Sequence, residues 1–302
     1  MKGILVASMI LGPTILLTGC SASSDSPVPP ETETPEPEMT EIRISPSVIE
    51  SRATDYDFEQ GDCTGLYVVN YSGSTPGKLA DSGNYVDNMR FTYDGTWTPD
   101  TPVFWSDDKT RAALYLYYPY TSVHTVTAHP FTVMSDQSTE AAYKASDFMA
   151  GRVANVVASG NATVIPVSHV MSRIVITLEA GKGFTAESLA AADVSVRING
   201  VKCGSTIDLS TGRVTPAGTP TSVTPLYADN TYKALIIPQT VSESNLITVR
   251  VDGRDFNLNR AFTFESAHSH KFTITLSKFT TGVNVNITPW IEDGKDHGGT
   301  AI

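Results

Sequence analysis

The feature that most constrains the fold of this 302-residue chain is an apolar–polar alternation with a period of two residues. Ile247, Val249 and Val251 alternate with polar residues, and Asp252-Gly253 follows them as a hairpin turn signal. Successive side chains of a β-strand point to opposite faces, so this alternation predicts strands with one buried and one solvated face. The same pattern recurs at 194–198, 256–259, 272–277 and 283–288.

Turn-forming residues and a shortage of helical periodicity extend this prediction to the whole chain. Clusters of Gly, Pro, Asn, Asp and Ser recur about every 8–12 residues, the spacing that is typical of sandwiches and barrels. Helical patterns are confined to two short stretches, Thr139–Lys144 and Thr185–Ala192. The sequence therefore predicts an all-β fold made of antiparallel β-sandwich domains.

The first 20 residues predict export and lipidation. Lys2 precedes a mostly apolar run over residues 4–17, which is shorter than the ~20 residues of a membrane span and has the length of a secretory signal. Leu17-Thr18-Gly19-Cys20 matches the lipobox of bacterial lipoprotein precursors. We predict that residues 1–20 are a lipoprotein signal peptide and that acyl chains such as palmitate are attached at Cys20.

Composition divides the remainder into a tether and two domains. Residues 21–40 are rich in Ser, Pro, Thr and Glu, which predicts an extended, disordered tether. Aromatic side chains concentrate in residues 60–131, whereas from about Asn161 onward the predicted strands are more regular and β-branched. We therefore predict an N-terminal β-sandwich over 41–162 and a C-terminal β-sandwich over 163–302.

Charge and cysteine content narrow the possible partners. The formal net charge is −11, which argues against nucleic-acid binding because that depends on neutralising phosphates. If Cys20 carries lipid, Cys63 and Cys203 are left as the remaining cysteines. We predict two separate thiols because the two residues fall in different predicted domains, with one disulfide as the alternative.

Several residues resemble parts of reactive or binding sites, but the sequence favours structural interpretations. His268-Ser269-His270 would place two imidazoles on one strand face, yet no third metal ligand is identifiable, so we predict exposed histidines at a strand start. Asp107-Asp108 is predicted to be a turn rather than a calcium loop. The run Tyr115–Tyr120 predicts a buried strand followed by a turn, the alternative being stacking on a sugar or partner. His169 is predicted to begin a core strand.

No catalytic constellation emerges from these residues. Nucleophile-elbow, phosphate-loop and zinc-protease motifs are absent from the sequence. We therefore predict that the protein is not an enzyme and uses no metal or other cofactor.

A series of short segments occurs in a characteristic order behind the lipobox, although none of them is specific alone. They are 50–54, 58–62, 65–68, 117–120, 147–151, 168–174, 207–212, 237–240, 251–253 and 289–290. Over roughly residues 41–292 the chain resembles the fimbrillin-like lipoproteins, the Mfa-like group of FimA-type pilins of gut and oral Gram-negative anaerobes. The resemblance implies two transthyretin-like β-sandwiches and a role as a pilus subunit that serves cell adhesion.

The resemblance also implies an assembly route through strand exchange. Precursors of this type travel as lipoproteins, and a protease cuts after an Arg near the end of the first strand. Here that position corresponds to Arg52-Ala53, and Ile42 and Ile44 mark the removable first strand. A strand from another subunit would then fill the vacated groove. The alternative is that Arg52 is an ordinary surface residue in a turn.

The C-terminal strand bears on the role within a pilus. Val283, Val285 and Ile287 could form a strand that is donated to a neighbour, or the last strand of the second sandwich. No further apolar strand follows Ile291, which favours a tip or accessory subunit over a stalk subunit.

The expected partners and location follow from these interpretations. The partners are other pilus subunits through β-strand addition, outer-membrane lipid through Cys20, and a host protein or glycan. The expected location is the outer membrane, with surface exposure in fimbriae. The alternative function is a monomeric surface lipoprotein that binds a glycan or host protein.

Overall fold

The computed structural model describes residues 39–48 and 58–278 and the backbone of 284–289. In this part of the chain nineteen strands form four sheets, and two short helices accompany them. The strands are β1 (Ile44–Val48), β2 (Cys63–Asn70), β3 (Val86–Tyr93), β4 (Trp97–Pro99), β5 (Ala112–Tyr118), β6 (His129–Thr132), β7 (Met149–Val156), β8 (Thr163–His169), β9 (Ser172–Ala180), β10 (Val194–Val201), β11 (Gly204–Asp208), β12 (Arg213–Ala217), β13 (Thr221–Val223), β14 (Leu226–Ala228), β15 (Thr231–Ile236), β16 (Gln239–Val251), β17 (Arg254–Phe264), β18 (Ser269–Leu276) and β19 (Asn284–Pro289). The helices are α1 (Glu140–Lys144) and α2 (Ala186–Ala190).

A seven-stranded sheet with the order β1-β8-β7-β5-β2-β3-β4 organises the N-terminal half. All seven residues of its central strand β5 are buried. Leu114 and Leu116 enter a core on one face of the sheet, whereas Tyr115 and Tyr117 enter a second core on the other face. A strand buried on both faces needs no polar alternation, and this confirms the predicted buried strand in the aromatic run.

The second core joins the two halves of the chain. It contains Tyr67, Tyr117 and Phe148 from the N-terminal half together with Ile207 and Leu235 from the C-terminal half. The three-stranded sheet β12-β11-β6 is shared in the same way, because β6 pairs antiparallel with β11. The N-terminal and C-terminal halves therefore meet through packed apolar side chains.

A five-stranded sheet and a four-stranded sheet form the C-terminal sandwich. Their orders are β14-β15-β9-β18-β19 and β13-β10-β16-β17. Ile174 and Phe272 from the first sheet pack with Ile198, Val249 and Phe256 from the second in one core. The alternation predicted in β16, β17 and β18 is present, so the apolar face of each strand enters this core.

The predicted all-β sandwich fold is confirmed, although the sheets are mixed rather than purely antiparallel. β1 pairs parallel to β8, and β9 pairs parallel to β18. Both pairs join strands that are far apart in sequence, as parallel pairs require, because a tight hairpin cannot connect parallel strands. The hairpin predicted at Asp252-Gly253 is present between β16 and β17, with both turn residues at positive φ.

The predicted boundary between residues 162 and 163 falls at the start of β8. This strand pairs with β7 and β1, so the seven-stranded sheet continues to His169, and the five-stranded sheet begins at Ser172. The prediction that His169 begins a strand is wrong, because His169 ends β8. Its Nδ1 lies 2.7 Å from Asp147 Oδ2.

Both predicted helical stretches form short helices with capped N-termini. The Thr139 hydroxyl accepts a hydrogen bond from the Ala142 amide at α1. Thr185 and Ser188 form a capping box at α2. Within the described residues, neither helix has the length and apolar character needed to cross a membrane.

Candidate functional site

The first strand is held at one edge of the seven-stranded sheet. β1 pairs with β8 in parallel register, from Ile44 opposite Thr163 to Val48 opposite Val167. Pro46 lies within β1, and a residue without a backbone N–H is tolerated there because an edge strand has one unpaired side. Among the described strands, β8 is the sole ladder partner of β1.

The residues just before β1 attach to a different part of the domain. The Ile42 amide donates to the Val103 carbonyl at 2.8 Å, and the Trp105 amide donates to the Thr40 carbonyl at 2.8 Å. The Thr163 amide donates to the Arg43 carbonyl, also at 2.8 Å. The segment 40–48 therefore bridges the loop at 103–105 and strand β8, and we call it the first-strand segment.

Two isoleucines anchor the first-strand segment in the core. Ile42 is fully buried and Ile44 is 4% exposed. The intervening Arg43 is exposed, and its Nε lies 3.1 Å from Glu41 Oε2 on the solvent side. The isoleucines belong to a core cluster whose other buried members include Leu66, Val68, Val86, Phe91, Trp105, Leu114, Leu116, Met149, Ile165 and Val167.

An open groove of ≈ 870 Å³ runs beside the first-strand segment. One described wall is formed by residues 41–46 and Val48, and the other includes Tyr93 and residues 95–99 of the β3–β4 hairpin. Both edge strands of the seven-stranded sheet, β1 and β4, therefore line the same groove.

Aromatic side chains make up much of the wall opposite β1. The Trp97 ring lies 5.1 Å from the Tyr93 ring and 5.0 Å from the Phe58 ring, centre to centre. Phe58 also packs edge-on against Tyr118 at 5.7 Å. The sequence indicated an aromatic-rich N-terminal half, but sequence spacing alone did not identify these residues as one wall.

Hydrogen bonds and ion pairs hold the segment 59–62, which directly precedes β2. The Tyr118 hydroxyl donates to Asp62 Oδ1 at 3.0 Å, and burial and then the Asp62 charge raise the pKa of this phenol above its ordinary value. The phenol therefore stays protonated and acts as a donor. Lys144 Nζ lies 2.8 Å from Glu59 Oε2 and 3.5 Å from Asp62 Oδ2.

The other predicted site residues are distributed as follows. Cys20, Arg52, Ala53 and Val283 lie outside the described residues. The backbone of Val285 pairs with Ile274, and that of Ile287 pairs with Phe272, so both belong to β19 at an edge of the five-stranded sheet.

The histidine pair differs from its prediction in one respect. His268 is partly exposed, as expected, but His270 is buried within β18 and is only 6% exposed. Its Nε2 accepts a hydrogen bond from the Glu265 amide at 3.2 Å. The alternation of β18 turns His270 inward with Phe272, which explains its burial. Within the described ranges, no three His, Cys, Asp or Glu side chains are grouped to hold a metal ion.

Two structural interpretations from the sequence are confirmed. Cys63 and Cys203 are free thiols. Asp107 forms a turn in which its carboxylate accepts hydrogen bonds from the amides of Lys109 and Thr110 at 2.7 and 2.6 Å. These contacts satisfy the carboxylate locally, as in an Asx turn.

Comparison with known proteins identifies a matching family. A family model described as fimbrillin-like matches residues 51–290. Among curated proteins, no match is found.

Solved structures share the fold at low sequence identity. A proposed cell adhesion protein from Bacteroides ovatus is 17% identical with a TM-score of 0.66, covering 84% of this chain and 98% of its own. A proposed cell adhesion protein from Bacteroides uniformis is 21% identical with a TM-score of 0.63, covering 82% and 98%. A fimbrial protein from Bacteroides ovatus is 20% identical with a TM-score of 0.52, covering 78% of this chain and 48% of its own.

Proposed function

This chain belongs to the fimbrillin-like family, and we propose that it is a fimbrial subunit that serves cell adhesion and is assembled by strand exchange at the first-strand segment. The observation that carries the proposal is the burial of Ile42 and Ile44 in a segment that precedes the rest of the domain and has β8 as its ladder partner. Such a segment can be removed without breaking any other described strand.

Removal of the first-strand segment would create a binding slot with both apolar and backbone components. Burial of two isoleucines stabilises by roughly 3–6 kcal/mol as an upper bound, and this stabilisation would be lost. The outer edge of β8 would expose backbone groups that β1 now pairs. An extended strand from another subunit supplies both kinds of contact, as in β-augmentation.

Processing and export complete the proposed route. Lipidation at Cys20 would hold the precursor at the outer membrane, and cleavage between Arg52 and Ala53 would release the segment. Because Cys20 precedes this bond, the same cut would separate the folded part from its lipid. A cut subunit would then be held at the cell surface by its neighbours in the fimbria.

We place the subunit at a tip or accessory position rather than in a stalk. A stalk subunit must donate a strand, and the candidate donor containing Val285 and Ile287 is paired with β18 in its own sheet. We assign no catalytic role and no cofactor.

One observation favours a second candidate function, a monomeric surface lipoprotein that binds a glycan or host protein. The first-strand segment is already seated on β8 and bridged to the loop at 103–105, so the domain needs no partner to complete it. The two candidates differ in whether the segment ever leaves.

Limited trypsin digestion of the folded chain tests the strand-exchange proposal. We expect a dominant early cut after Arg52 and a core fragment that begins at Ala53. The core should then bind a synthetic peptide of residues 40–48, measured by native mass spectrometry after the released segment is washed out. Arg111 and Arg152 are the reference cleavage sites inside the folded part. Arg111 directly precedes β5 and bonds to Asn155, and Arg152 lies in β7, where it pairs with Tyr115 of β5.

Two variants test whether the early cut depends on Arg52. The test variant is Arg52→Gln, and the matched control is Arg213→Gln, which changes an exposed arginine in β12. Arg52→Gln should abolish the early cut, and Arg213→Gln should leave it unchanged. Earlier cutting at Arg111 or Arg152, or a core that ignores the peptide, would contradict strand exchange and favour the monomeric lipoprotein.

A further inference from the structure

A shallow polar depression lies on the solvent-facing side of the four-stranded sheet. It has a volume of ≈ 260 Å³, and we call it the Arg197 depression. Every described residue that lines it is polar or charged: Ser195, Arg197, Asn199, Asn245, Thr248, Arg250 and Asp255. The opposite side of the same strands packs in the C-terminal core, so the strands are fixed beneath the depression.

A β-bulge in β16 brings an additional polar side chain into the depression. The register with β17 shifts between Asn245 and Ile247, and Leu246 and Ile247 are both fully buried. In a regular strand, residues three apart face opposite sides, but this bulge places Asn245 and Thr248 on the same side. Asn245 Nδ2 donates to Thr248 Oγ1 at 2.9 Å.

Hydrogen bonds between side chains hold the floor of the depression across four strands. Thr248 Oγ1 accepts from Asn199 Nδ2 at 3.0 Å and donates to Asn257 Oδ1 at 3.0 Å. The Ser222 hydroxyl donates to Asn199 Oδ1 at 2.8 Å. The amides and hydroxyls are therefore positioned before any ligand arrives, which lowers the entropic cost of binding.

Two arginines, Arg197 and Arg250, face a single described carboxylate, Asp255, so the lining of the depression carries a net positive charge. Arg250 binds Asp255 in bidentate fashion, with Nε to Oδ1 at 2.6 Å and Nη2 to Oδ2 at 3.0 Å. Arg197 stands opposite Thr248 in the β10–β16 register. Its guanidinium makes no hydrogen bond or ion pair within the part of the chain that is described, and the Asp255 charge acts on it only from a longer distance. This exposed donor fork lies on a chain whose formal net charge is −11.

We propose that the Arg197 depression binds an acidic oligosaccharide. The Arg197 guanidinium would pair with the carboxylate or sulfate group of the sugar, a match for its planar fork. Ser195 and Asn199 would hydrogen-bond to neighbouring hydroxyl groups. The lining offers no apolar pocket for a peptide side chain, which favours a polyhydroxylated ligand. This inference goes beyond the proposed function and does not depend on strand exchange.

Calorimetric titration of the purified chain with three related sugars tests the proposal. The probes are 3′-sialyllactose, which is carboxylated, 3′-sulfolactose, which is sulfated, and neutral lactose. We expect saturable binding of one or both acidic sugars, at least tenfold weaker binding of lactose, and weaker binding at higher salt. The two acidic arms distinguish carboxylate from sulfate recognition.

Two variants and one further probe make the test decisive. Arg197→Gln should weaken acidic-sugar binding at least tenfold, whereas Arg213→Gln, on the separate β11–β12 hairpin, should bind as the unmodified chain does. Absence of saturable binding by both acidic sugars, equal binding of lactose, or an Arg197→Gln variant with full affinity would overturn the proposal. Tetraglutamate that binds as tightly as the sugars would also overturn it, since charge alone would then explain the binding.

Discussion

His270 is the buried titratable residue whose surroundings most clearly require one protonation state. Burial lowers its pKa below the ordinary value, and the nearby His268 acts in the same direction while Glu265 opposes it. The Phe262 and Phe264 rings pack edge-on against the imidazole. Because Nε2 accepts the Glu265 amide hydrogen, that nitrogen must be unprotonated in the folded protein.

This protonation state makes stability depend on pH. The folded pKa of His270 lies below the unfolded value of about 6.5, so the unfolded chain binds more protons in the interval between the two. The contribution of neutral His270 to the free energy of unfolding should be fully present above about pH 6.5. It should be lost as the pH drops through the folded pKa. One such group contributes a slope of at most about 1.4 kcal/mol per pH unit.

Urea unfolding between pH 7 and pH 5 measures this slope. His270→Gln keeps an acceptor for the Glu265 amide but does not titrate, so its slope should be smaller than that of the unmodified chain. His268→Gln changes the more exposed neighbour and is the control, with an expected slope close to the original. A His270→Gln variant with the unmodified slope would contradict the assignment to His270. Burial also lowers the pKa of His129, so a contribution of the same sign from that residue should remain in both variants.

At the scale of single elements, β8 depends on a close approach to β7. Gly151 lies opposite Val167 in the β7–β8 register. A Cβ atom at Gly151 would overlap the backbone carbonyl of Pro166 and would lie 2.6 Å from Val167 Cγ1. The overlap involves backbone, so a change of side-chain rotamer cannot relieve it. Glycine at this position therefore allows β8 to present its outer edge to β1.

Gly151→Ala should consequently destabilise the protein. We expect a loss of about 1–3 kcal/mol in unfolding free energy, the usual cost of overpacking, measured by urea denaturation. Gly160→Ala is the matched control, because nothing lies within 4 Å of its added Cβ, and its effect should stay within about 0.5 kcal/mol. Equal effects of the two substitutions would show that the β7–β8 approach is not tight.

Sequence patterns identified many strands but not their partners. Alternation correctly indicated the inward faces of β16, β17 and β18. The Asp252-Gly253 turn signal correctly indicated the hairpin that joins β16 and β17. Alternation encodes which face is buried and carries no information on which distant strand lies alongside, so the parallel β1–β8 pair was not predictable. The β16 bulge at Leu246 was missed for a related reason, since it interrupts the period on which the prediction depends.

At the scale of the whole molecule, the two candidate exchange strands have different surroundings. The first-strand segment is seated by two isoleucines and an edge ladder, and a groove lies beside it. β19 pairs with β18 from Thr275–Asn284 to His270–Pro289, and β18 is itself paired with β9 on its other side. β19 therefore completes a sheet of the C-terminal sandwich, and donating it would break every one of these pairs.

This difference predicts that a cut chain accepts a strand but does not polymerise by itself. After cleavage at Arg52 and removal of the segment, native mass spectrometry should show monomers, because the free energy lost by extracting β19 would offset the gain at the slot of a neighbour. Adding the peptide of residues 40–48 should give a 1:1 complex, which shows that the slot is competent. A ladder of oligomers from the cut chain alone would contradict the tip or accessory assignment and identify a stalk subunit. Monomers that also fail to bind the peptide would instead count against the slot.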